Sequence, residues 1–426
     1  MTGQDHIAHD EHARAILRGN DRGGYTVPTA GLYPYQWNWD SAFAALGFAA
    51  FDIERARTEI DTLLAGQWAS GMVPHILFHE RDPGYFPGPE IWGKGRGPVP
   101  SSGISQPPVA ATVVRDIWEA DRPGGEAWLR VQFPRLKAWH RWFMEWRTDS
   151  HGAVFVTHPW EAGRDNCLDW DEAMAAIDPV GVGDYARRDT SHVALDMRPT
   201  KEDYDRYVWL VKRGRRLGWD DAALARDMPF RVADPTMTFI LLRANRDLAA
   251  LGAELGEDIS EFETWTARLE GGANWLKNPE LGMFDAVNLN AGTRTGNLSN
   301  ASFLCWYGGL DDAWMLGALD RAFEVCRYPV PSQDATSRGF EPRRYWRGPT
   351  WAIMNAMIAR GLAETGHLAQ ARRLREVTRA LIASHGFAEY FDPMSGAPAG
   401  GGTFTWTAAV WLAWASPSAG GKSWAR

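Results

Sequence analysis

The chain has 426 residues, of which 45% are hydrophobic and 23% charged, and its mean hydropathy is -0.35. This composition indicates a globular protein with a sizeable core. The net charge of -8, without a block of Lys or Arg, argues against a nucleic-acid partner. No apolar run of about eighteen residues could span a membrane, and the polar start of the chain lacks the features of a signal peptide. We therefore expect a cytoplasmic protein.

Helical periodicity recurs along the chain. Asp234 followed by Pro235 is typical of an N-cap with Pro at the first helical position, and Gly252 ends the apolar face that follows. Equivalent patterns predict twelve helices, at about 10–17, 41–50, 53–67, 108–120, 126–146, 203–216, 234–252, 260–269, 311–323, 350–362, 368–383 and 404–415.

Twelve paired helices without a heptad seam or a short repeat predict an all-α fold, an (α/α)6 toroid of inner and outer helices. No linker divides the chain, so we expect one catalytic domain over 1–416 and a flexible tail over 417–426. The segments 67–106, 149–200 and 278–310 are too long for simple connections. Closure of the toroid would gather such loops at one funnel, where binding residues are common.

The chain contains 23 Trp and three Cys. Many of the Trp residues lie in loops beside Gly, Pro and Asn, where flat rings with a polar edge suit sugars. Trp139, Trp142 and Trp146 have helical spacing and are interpreted as core. An odd number of Cys without a Cys-x-x-Cys spacing argues against a disulfide framework or a structural zinc site.

Two loop segments place carboxylic acids among aromatic residues, at 158–166 and 386–393. Cleavage of a glycosidic bond requires one acid to protonate the leaving oxygen and a second carboxylate to activate water or attack the sugar. Loop acids are also common as caps and turn residues, so spacing alone leaves both interpretations open. Within or beside the two segments Glu161, Cys167 and Asp392 are the alternatives for chemistry, and the acids at 169–172 could bind a cation.

Six motifs in order resemble glycoside hydrolase family 63, and within it the bacterial mannosylglycerate and glucosylglycerate hydrolases. The resemblance covers about 33–406 and is carried by the runs YQWNWDSAF at 35–43, GMVPH at 71–75, QPP at 106–108, WEAGRDN at 160–166, YWRGPTW at 345–351 and EYFDP at 389–393.

This resemblance implies an (α/α)6 domain that hydrolyses α-glucosides or α-mannosides with inversion. It assigns Asp165 as general acid and Glu389 as general base, which need no metal or organic cofactor. Sugar-binding roles in the family fall on Tyr33, Trp39, Asp40, Gln106, Trp160, Tyr345, Trp346 and Trp351. The only partner expected is a small α-linked sugar, and a homo-oligomer is left open.

The resemblance also suggests glycerate as the leaving group, held by Arg198, Tyr204 and Tyr85. Immediately before Phe404, the family predicts a Gln that completes the binding of glycerate, but this chain has Thr403. The alternative for Arg198 is a salt bridge to an acid at the start of the next helix. Alternative functions are an α-glucosidase or α-mannosidase acting on a neutral disaccharide or oligosaccharide, and a sugar epimerase that would use a pair of histidines.

Overall fold

The computed structural model of the chain describes residues 3–93, 95–419 and 424. Its α-helices are, in chain order, α1 Gly3–Asn20, α2 Asn38–Phe48, α3 Ile53–Ala65, α4 Pro89–Trp92, α5 Ala110–Ala120, α6 Arg122–Trp146, α7 Asp171–Ala175, α8 Asp189–His192, α9 Lys201–Arg216, α10 Asp221–Asp227, α11 Pro235–Leu255, α12 Ser260–Leu276, α13 Ala313–Val325, α14 Ala352–Glu364, α15 Leu368–His385 and α16 Thr405–Val410. Short 3₁₀ turns lie at Pro159–Ala162, Leu168–Trp170, Leu195–Met197, Ser302–Cys305 and Pro417–Ala419, and α16 continues as a π-helical turn, Trp411–Ala415.

The helices form two concentric rings. In the inner ring α2 packs beside α5, α5 beside α11, α11 beside the turn Ser302–Cys305, this turn beside α14, and α14 beside α16, which closes the ring on α2. Each inner element packs against the outer helix next to it in the chain, and α1 covers α16. The outer helices are α3, α6, α12, α13, α15 and α1. The predicted (α/α)6 toroid is confirmed.

The burial of each helix follows from its ring. Inner helix α11 begins with Asp234, whose side chain accepts from the N–H groups of Thr236 and Met237, and its buried residues run around the whole helix. Outer helix α15 buries one stripe, which includes Ala371, Leu374 and Leu381. A helix with an apolar stripe covers a core, whereas one that is apolar all round lies inside it.

One predicted member of the rings is wrong. The helix expected at 203–216 is present as α9, but it packs on the short helix α4 rather than in either ring. Its place among the twelve is taken by Ser302–Cys305, a single 3₁₀ turn inside a segment predicted to be loop. A turn of four residues has no periodicity to detect, because its burial comes from its neighbours in the ring.

In the described part of the chain, ten two-residue strands join the loops. They are β1 Gln36–Trp37, β2 Ile76–Leu77, β3 Phe155–Val156, β4 Val232–Ala233, β5 Lys277–Asn278, β6 Met283–Phe284, β7 Val287–Asn288, β8 Thr293–Arg294, β9 Tyr390–Phe391 and β10 Pro398–Ala399. The largest sheet has the order β3-β4-β7-β8, and all its pairs are antiparallel. The β1-β2 and β9-β10 pairs hold segments that carry predicted site residues.

Most of the expected flexible tail, at 420–423 and 425–426, lies outside the described residues. Of the rest, Pro417–Ala419 form a 3₁₀ turn and Trp424 is buried. The Trp424 indole N–H donates to Asp116 at 2.5 Å and its ring lies under the guanidinium of Arg360. Among the described helices, none is long and apolar enough to cross a membrane.

Candidate active site

A pocket lies at the N-terminal ends of the inner helices, and its volume is about 840 Å³ when the open space at its mouth is included. Trp39 and Asp40 reach it from the first turn of α2, Gln106 from the segment before α5, and Trp406 from the first turn of α16. All predicted site residues except Trp346 and Trp351 line this pocket, namely Tyr33, Trp39, Asp40, Tyr85, Gln106, Trp160, Asp165, Arg198, Tyr204, Tyr345 and Glu389.

The loop that carries Asp165 is fixed on both sides of this residue. Buried Arg164 pairs with Asp169 at 3.0 Å and with Asp234, the N-cap of α11, at 2.8 Å. Beyond it, the Asn166 side chain accepts from the Trp346 N–H at 3.0 Å. The Asp165 carbonyl itself accepts from the Tyr207 hydroxyl at 2.7 Å. The backbone around Asp165 is therefore anchored to an inner helix and to two residues behind the pocket wall, Trp346 and Tyr207.

The Asp165 carboxyl group has the properties of a proton donor. Its pKa is raised to about 7, because burial and then the charge of Glu389 outweigh the opposing effects of Arg198 and of a hydrogen bond from Trp160. A carboxyl group with this pKa is largely protonated in mildly acidic solution, so it can transfer a proton to a leaving oxygen. The ordinary pKa of 3.8 would leave it ionised there.

Glu389 is held as a hydrogen-bond acceptor. It lies just before β9, is only 1% exposed, and accepts from three donors. The Tyr33 hydroxyl donates to Oε1 at 3.0 Å, while Arg198 Nη2 and the Gly401 N–H donate to Oε2 at 2.8 and 3.2 Å. Since all three partners donate, the arrangement suits a carboxylate that accepts a proton from water.

Arg198 is the cation at this end of the pocket. Its Nη1 donates to the Tyr33 hydroxyl at 2.8 Å and its guanidinium lies 4.7 Å from the centre of the Tyr345 ring. Its pKa lies well above the ordinary value: burial opposes the charged form, but Glu389 together with Tyr33, Tyr390 and Tyr345 outweighs burial. The salt bridge considered for Arg198 is therefore made to Glu389, across the pocket, rather than to the start of the next helix.

Asp40 and Gln106 present polar groups to the pocket. The Gln106 side-chain oxygen accepts the Trp39 N–H at 3.3 Å, which leaves its amide N–H₂ as the donor side. The pKa of Asp40 is well above its ordinary value because of burial and then the nearby charge of Glu389. Among the described residues, the pocket is thus lined by four carboxyl groups, at Asp40, Asp165, Asp189 and Glu389, and by two guanidinium groups, at Arg188 and Arg198, of which Arg198 pairs with Glu389.

Trp346 and Trp351 form a layer behind the wall. Their rings stack on each other with centroids 3.8 Å apart and planes 6° apart, and both are fully buried. Trp346 lies against Trp39 and Trp351 against Tyr345, so they support pocket residues rather than face the cavity. The motif that contains them points one residue, Tyr345, into the pocket.

Sequence reasoning missed several lining residues, among them Trp37, His75, Arg188, Asp189 and Phe404. Trp37 and His75 lie inside motifs that were recognised, where β1 and β2 pair and bring them together. Burial and the nearby charge of His158 lower the pKa of His75 well below its ordinary value, so its ring is neutral. Arg188 and Asp189 lie in a loop with no sequence signal beyond its length.

Comparison with known proteins identifies the family of this site. Residues 33–407 match the model of the mannosylglycerate hydrolase MGH1-like glycoside hydrolase domain. The chain belongs to this family of glycoside hydrolases.

Relatives share nearly the whole chain. It is 44% identical to a mannosylglycerate hydrolase of Thermus thermophilus over 94% of this chain and 98% of the relative. It is 35% identical to a glucosylglycerate hydrolase of Mycolicibacterium hassiacum over 94% and 96%. The crystal structure of a family 63 mannosylglycerate hydrolase from Thermus thermophilus in complex with Tris and D-glycerate matches with a TM-score of 0.92, at 44% identity over 95% of this chain and 99% of that chain.

Other acids of the two motifs have structural roles in this member of the family. Glu161 pairs with Arg147 at 3.0 Å and accepts from the Thr157 N–H, so it holds the loop rather than facing the pocket. Asp392 caps a turn by accepting from the Met394 N–H. Cys167 is buried outside the pocket wall, and Asp169 is bound by Arg164. Within the described part of the chain, no group of three His, Cys, Asp or Glu residues could hold a metal ion.

The residues expected to hold an aglycone gather at one side of the mouth. Tyr204, on α9, donates its hydroxyl to the Phe86 carbonyl at 2.9 Å and packs under the guanidinium of Arg187. Tyr85 lies on the facing loop beside Trp37. Thr403 is exposed, lies outside the pocket wall, and contacts Thr29 through its hydroxyl. The side chain at 403 therefore leaves this side of the pocket to Arg198 and the two tyrosines.

Proposed function

We propose that this chain is an inverting α-glycosidase in which Asp165 protonates the leaving oxygen and Glu389 activates the attacking water. One observation carries the proposal: a carboxyl group whose pKa is raised to about 7 faces the same pocket as a carboxylate held by three donors. A pair of acids with opposite protonation states is what glycoside hydrolysis requires. In the reaction, Asp165 gives its proton to the glycosidic oxygen while Glu389 takes one from the water that adds to the anomeric carbon.

We propose mannosylglycerate or glucosylglycerate as the substrate. Support comes from relatives that bear these names at 44% and 35% identity and from the D-glycerate bound to the matching crystal structure. Arg198 supports it chemically, because its Nε has no hydrogen-bond partner among the described residues and a guanidinium suits a carboxylate. The neutral pocket wall of Trp37, Trp39 and Trp160 would hold the sugar ring.

The test is proton NMR of a digest with α-glycosides of glycerate, glycerol, glucose and mannose. We expect the β-anomer as the first product and the highest kcat/KM with a glycerate glycoside. First release of the α-anomer would contradict inversion. Faster hydrolysis of a neutral disaccharide would contradict the substrate and leave the glycosidase assignment intact.

Variants at Arg198 and Tyr85 separate the aglycone from the chemistry. Because Arg198 also holds Glu389, Arg198→Ala should lower kcat for every substrate, with an additional loss of about 1.5–3 kcal/mol for glycerate glycosides. Tyr85→Phe keeps the ring and removes only its hydroxyl, so it should raise KM for glycerate glycosides alone. An equal loss for neutral and glycerate substrates in both variants would place glycerate elsewhere.

We propose that the enzyme acts in the cytoplasm. Cys167, Cys305 and Cys326 are all free and buried, which fits a reducing compartment. Measurement of activity in separated cell fractions would test this location, and activity confined to a secreted fraction would contradict it.

A further inference from the structure

A turn that contains Gly400 and Gly401, the glycine turn, lies against the side chain of Glu389. The residue lies where β9 and β10 pair, and its N–H donates to the Gly401 carbonyl at 2.8 Å. The Gly401 N–H donates back to Glu389 Oε2 at 3.2 Å. The backbone of this turn thus contacts both the main chain and the carboxylate of the same residue.

The close approach requires glycine at position 400. Gly400 has a φ of +73°, which side chains rarely adopt. A Cβ built there would lie 2.1 Å from Glu389 Oε2, 2.6 Å from its Cβ and 2.9 Å from its carboxyl carbon. Contacts this short do not occur, so any side chain at 400 would displace either the turn or the carboxylate.

The turn decides which oxygen of Glu389 is available. Oε2 accepts from the Gly401 N–H and from Arg198 Nη2, and these two donors occupy its lone pairs. Among the described residues, only the Tyr33 hydroxyl donates to Oε1, which leaves one lone pair. A proton from water can therefore be accepted at Oε1 without breaking a hydrogen bond.

We propose that Gly400 is a positioning residue for the general base: the glycine turn seats Oε2 and directs the free lone pair of Oε1 to the attacking water. This inference rests on the proposed role of Glu389. Gly400 does not line the pocket, so it would act through the position of the carboxylate. Misplacement of a reacting group by about 1 Å can cost roughly 10²-fold in rate.

Two other glycines provide matched controls. Gly386, three residues before Glu389, also has a left-handed φ, +83°, but nothing lies within 4 Å of its Cβ position. Gly402 has open space around it and no such φ. Gly386→Ala therefore imposes backbone strain without contact, and Gly402→Ala imposes neither, whereas Gly400→Ala imposes both.

We would measure kcat, KM and the melting temperature of the three variants. Gly400→Ala should lower kcat by about 10- to 100-fold with KM within about twofold of the wild type. Gly386→Ala should lower the melting temperature while keeping kcat, and Gly402→Ala should resemble the wild type. Wild-type kcat in Gly400→Ala, or an equal loss of kcat in Gly386→Ala, would overturn the inference.

Azide provides a readout that does not depend on the base. Glu389→Gly removes the whole side chain, and azide, an anion, can then attack the anomeric carbon without giving up a proton. The double variant that combines Glu389→Gly with Gly400→Ala should have an azide-supported rate within about twofold of that of Glu389→Gly alone. If Gly400→Ala alone does not fold, the double variant should fold. A further loss of that rate, or no recovery of folding, would overturn the inference. An active Glu389→Gln enzyme would instead contradict the proposed function.

Discussion

Both ends of the toroid bury charged residues, but they balance the charges differently. At the far end, toward the C-terminal ends of the inner helices, Asp116 pairs with Arg360 at 2.8 Å, and Asp247 pairs with Arg243 at 2.6 Å and Arg115 at 2.8 Å. At the mouth, Arg198 pairs with Glu389 at 2.8 Å and its charge also acts on Asp165, whereas Asp40 has no salt bridge among the described residues.

The difference appears in the titration of the acids. Burial raises the pKa of Asp247, but Arg243 and Arg360 outweigh it, and the pKa lies below its ordinary value. At the mouth burial prevails, and the pKa of Asp165 rises to about 7. Buried charge that is fully paired stabilises one conformation, whereas a deficit of partners keeps an acid protonated for chemistry.

The largest effect is expected from the acids of the mouth. Asp165→Asn and Glu389→Gln should each lower kcat by at least about 10²- to 10⁴-fold, because each removes proton transfer in the transition state. Substrate should still bind, as judged by calorimetry with the inactive variants. Asp116→Asn makes the same change at the far end and should keep kcat while lowering the melting temperature. If Asp116→Asn lowered kcat while the two mouth variants kept it, the assignment of catalysis to the mouth would be wrong.

The far end should respond in stability. Arg360→Ala leaves Asp116 with the Trp424 indole as its partner, and breaking a buried pair costs about 3–5 kcal/mol. Arg130→Ala breaks the exposed pair with Glu126 and should cost less than about 1 kcal/mol. Denaturant unfolding measures both values. Equal stability of the two variants would show that the far-end network carries no net stabilisation.

The sequence predicted the helices better than their assembly. Amphipathic periodicity is local, so α11 and α15 were predictable, but membership of the inner ring depends on neighbours, and α9 was counted in place of Ser302–Cys305. In the site, the motifs pointed to two candidate acids that both line the pocket, but they did not predict which aromatic residues face the pocket and which lie behind its wall. Trp346 and Trp351 follow Tyr345 closely, yet only the fold shows that they stack behind it. The Arg198 contact with Glu389 joins residues far apart in the chain, which no spacing rule can foresee.

Trp424, in the C-terminal tail, provides a second test of how the far end contributes to stability. Its burial at the far end means that Trp424→Ala should cost up to about 3 kcal/mol of unfolding free energy through lost packing. Trp424→Phe keeps a ring and loses the hydrogen bond to Asp116, for about 1.5 kcal/mol. Both variants should keep wild-type kcat below their melting temperatures. If both variants have the unfolding midpoint of the wild type, Trp424 does not stabilise the far end and belongs to a flexible tail.

The smallest expected effect is a shift in the pH profile at the mouth. Asp165 must be protonated to act as the acid, so kcat/KM should fall as the pH rises through about 7. The positive charge of Arg198 lowers the pKa of Asp165, and Arg198→Gln removes it. The alkaline limb of the profile should then move to higher pH, even though the rate itself is lower because Glu389 has lost a donor. Arg130→Ala, distant from the pocket, should leave the limb in place. If the alkaline limb moves to lower pH in Arg198→Gln, the limb reports the titration of a group other than Asp165. The explanation of the protonated acid at the mouth by a shortage of positive charge would then be wrong.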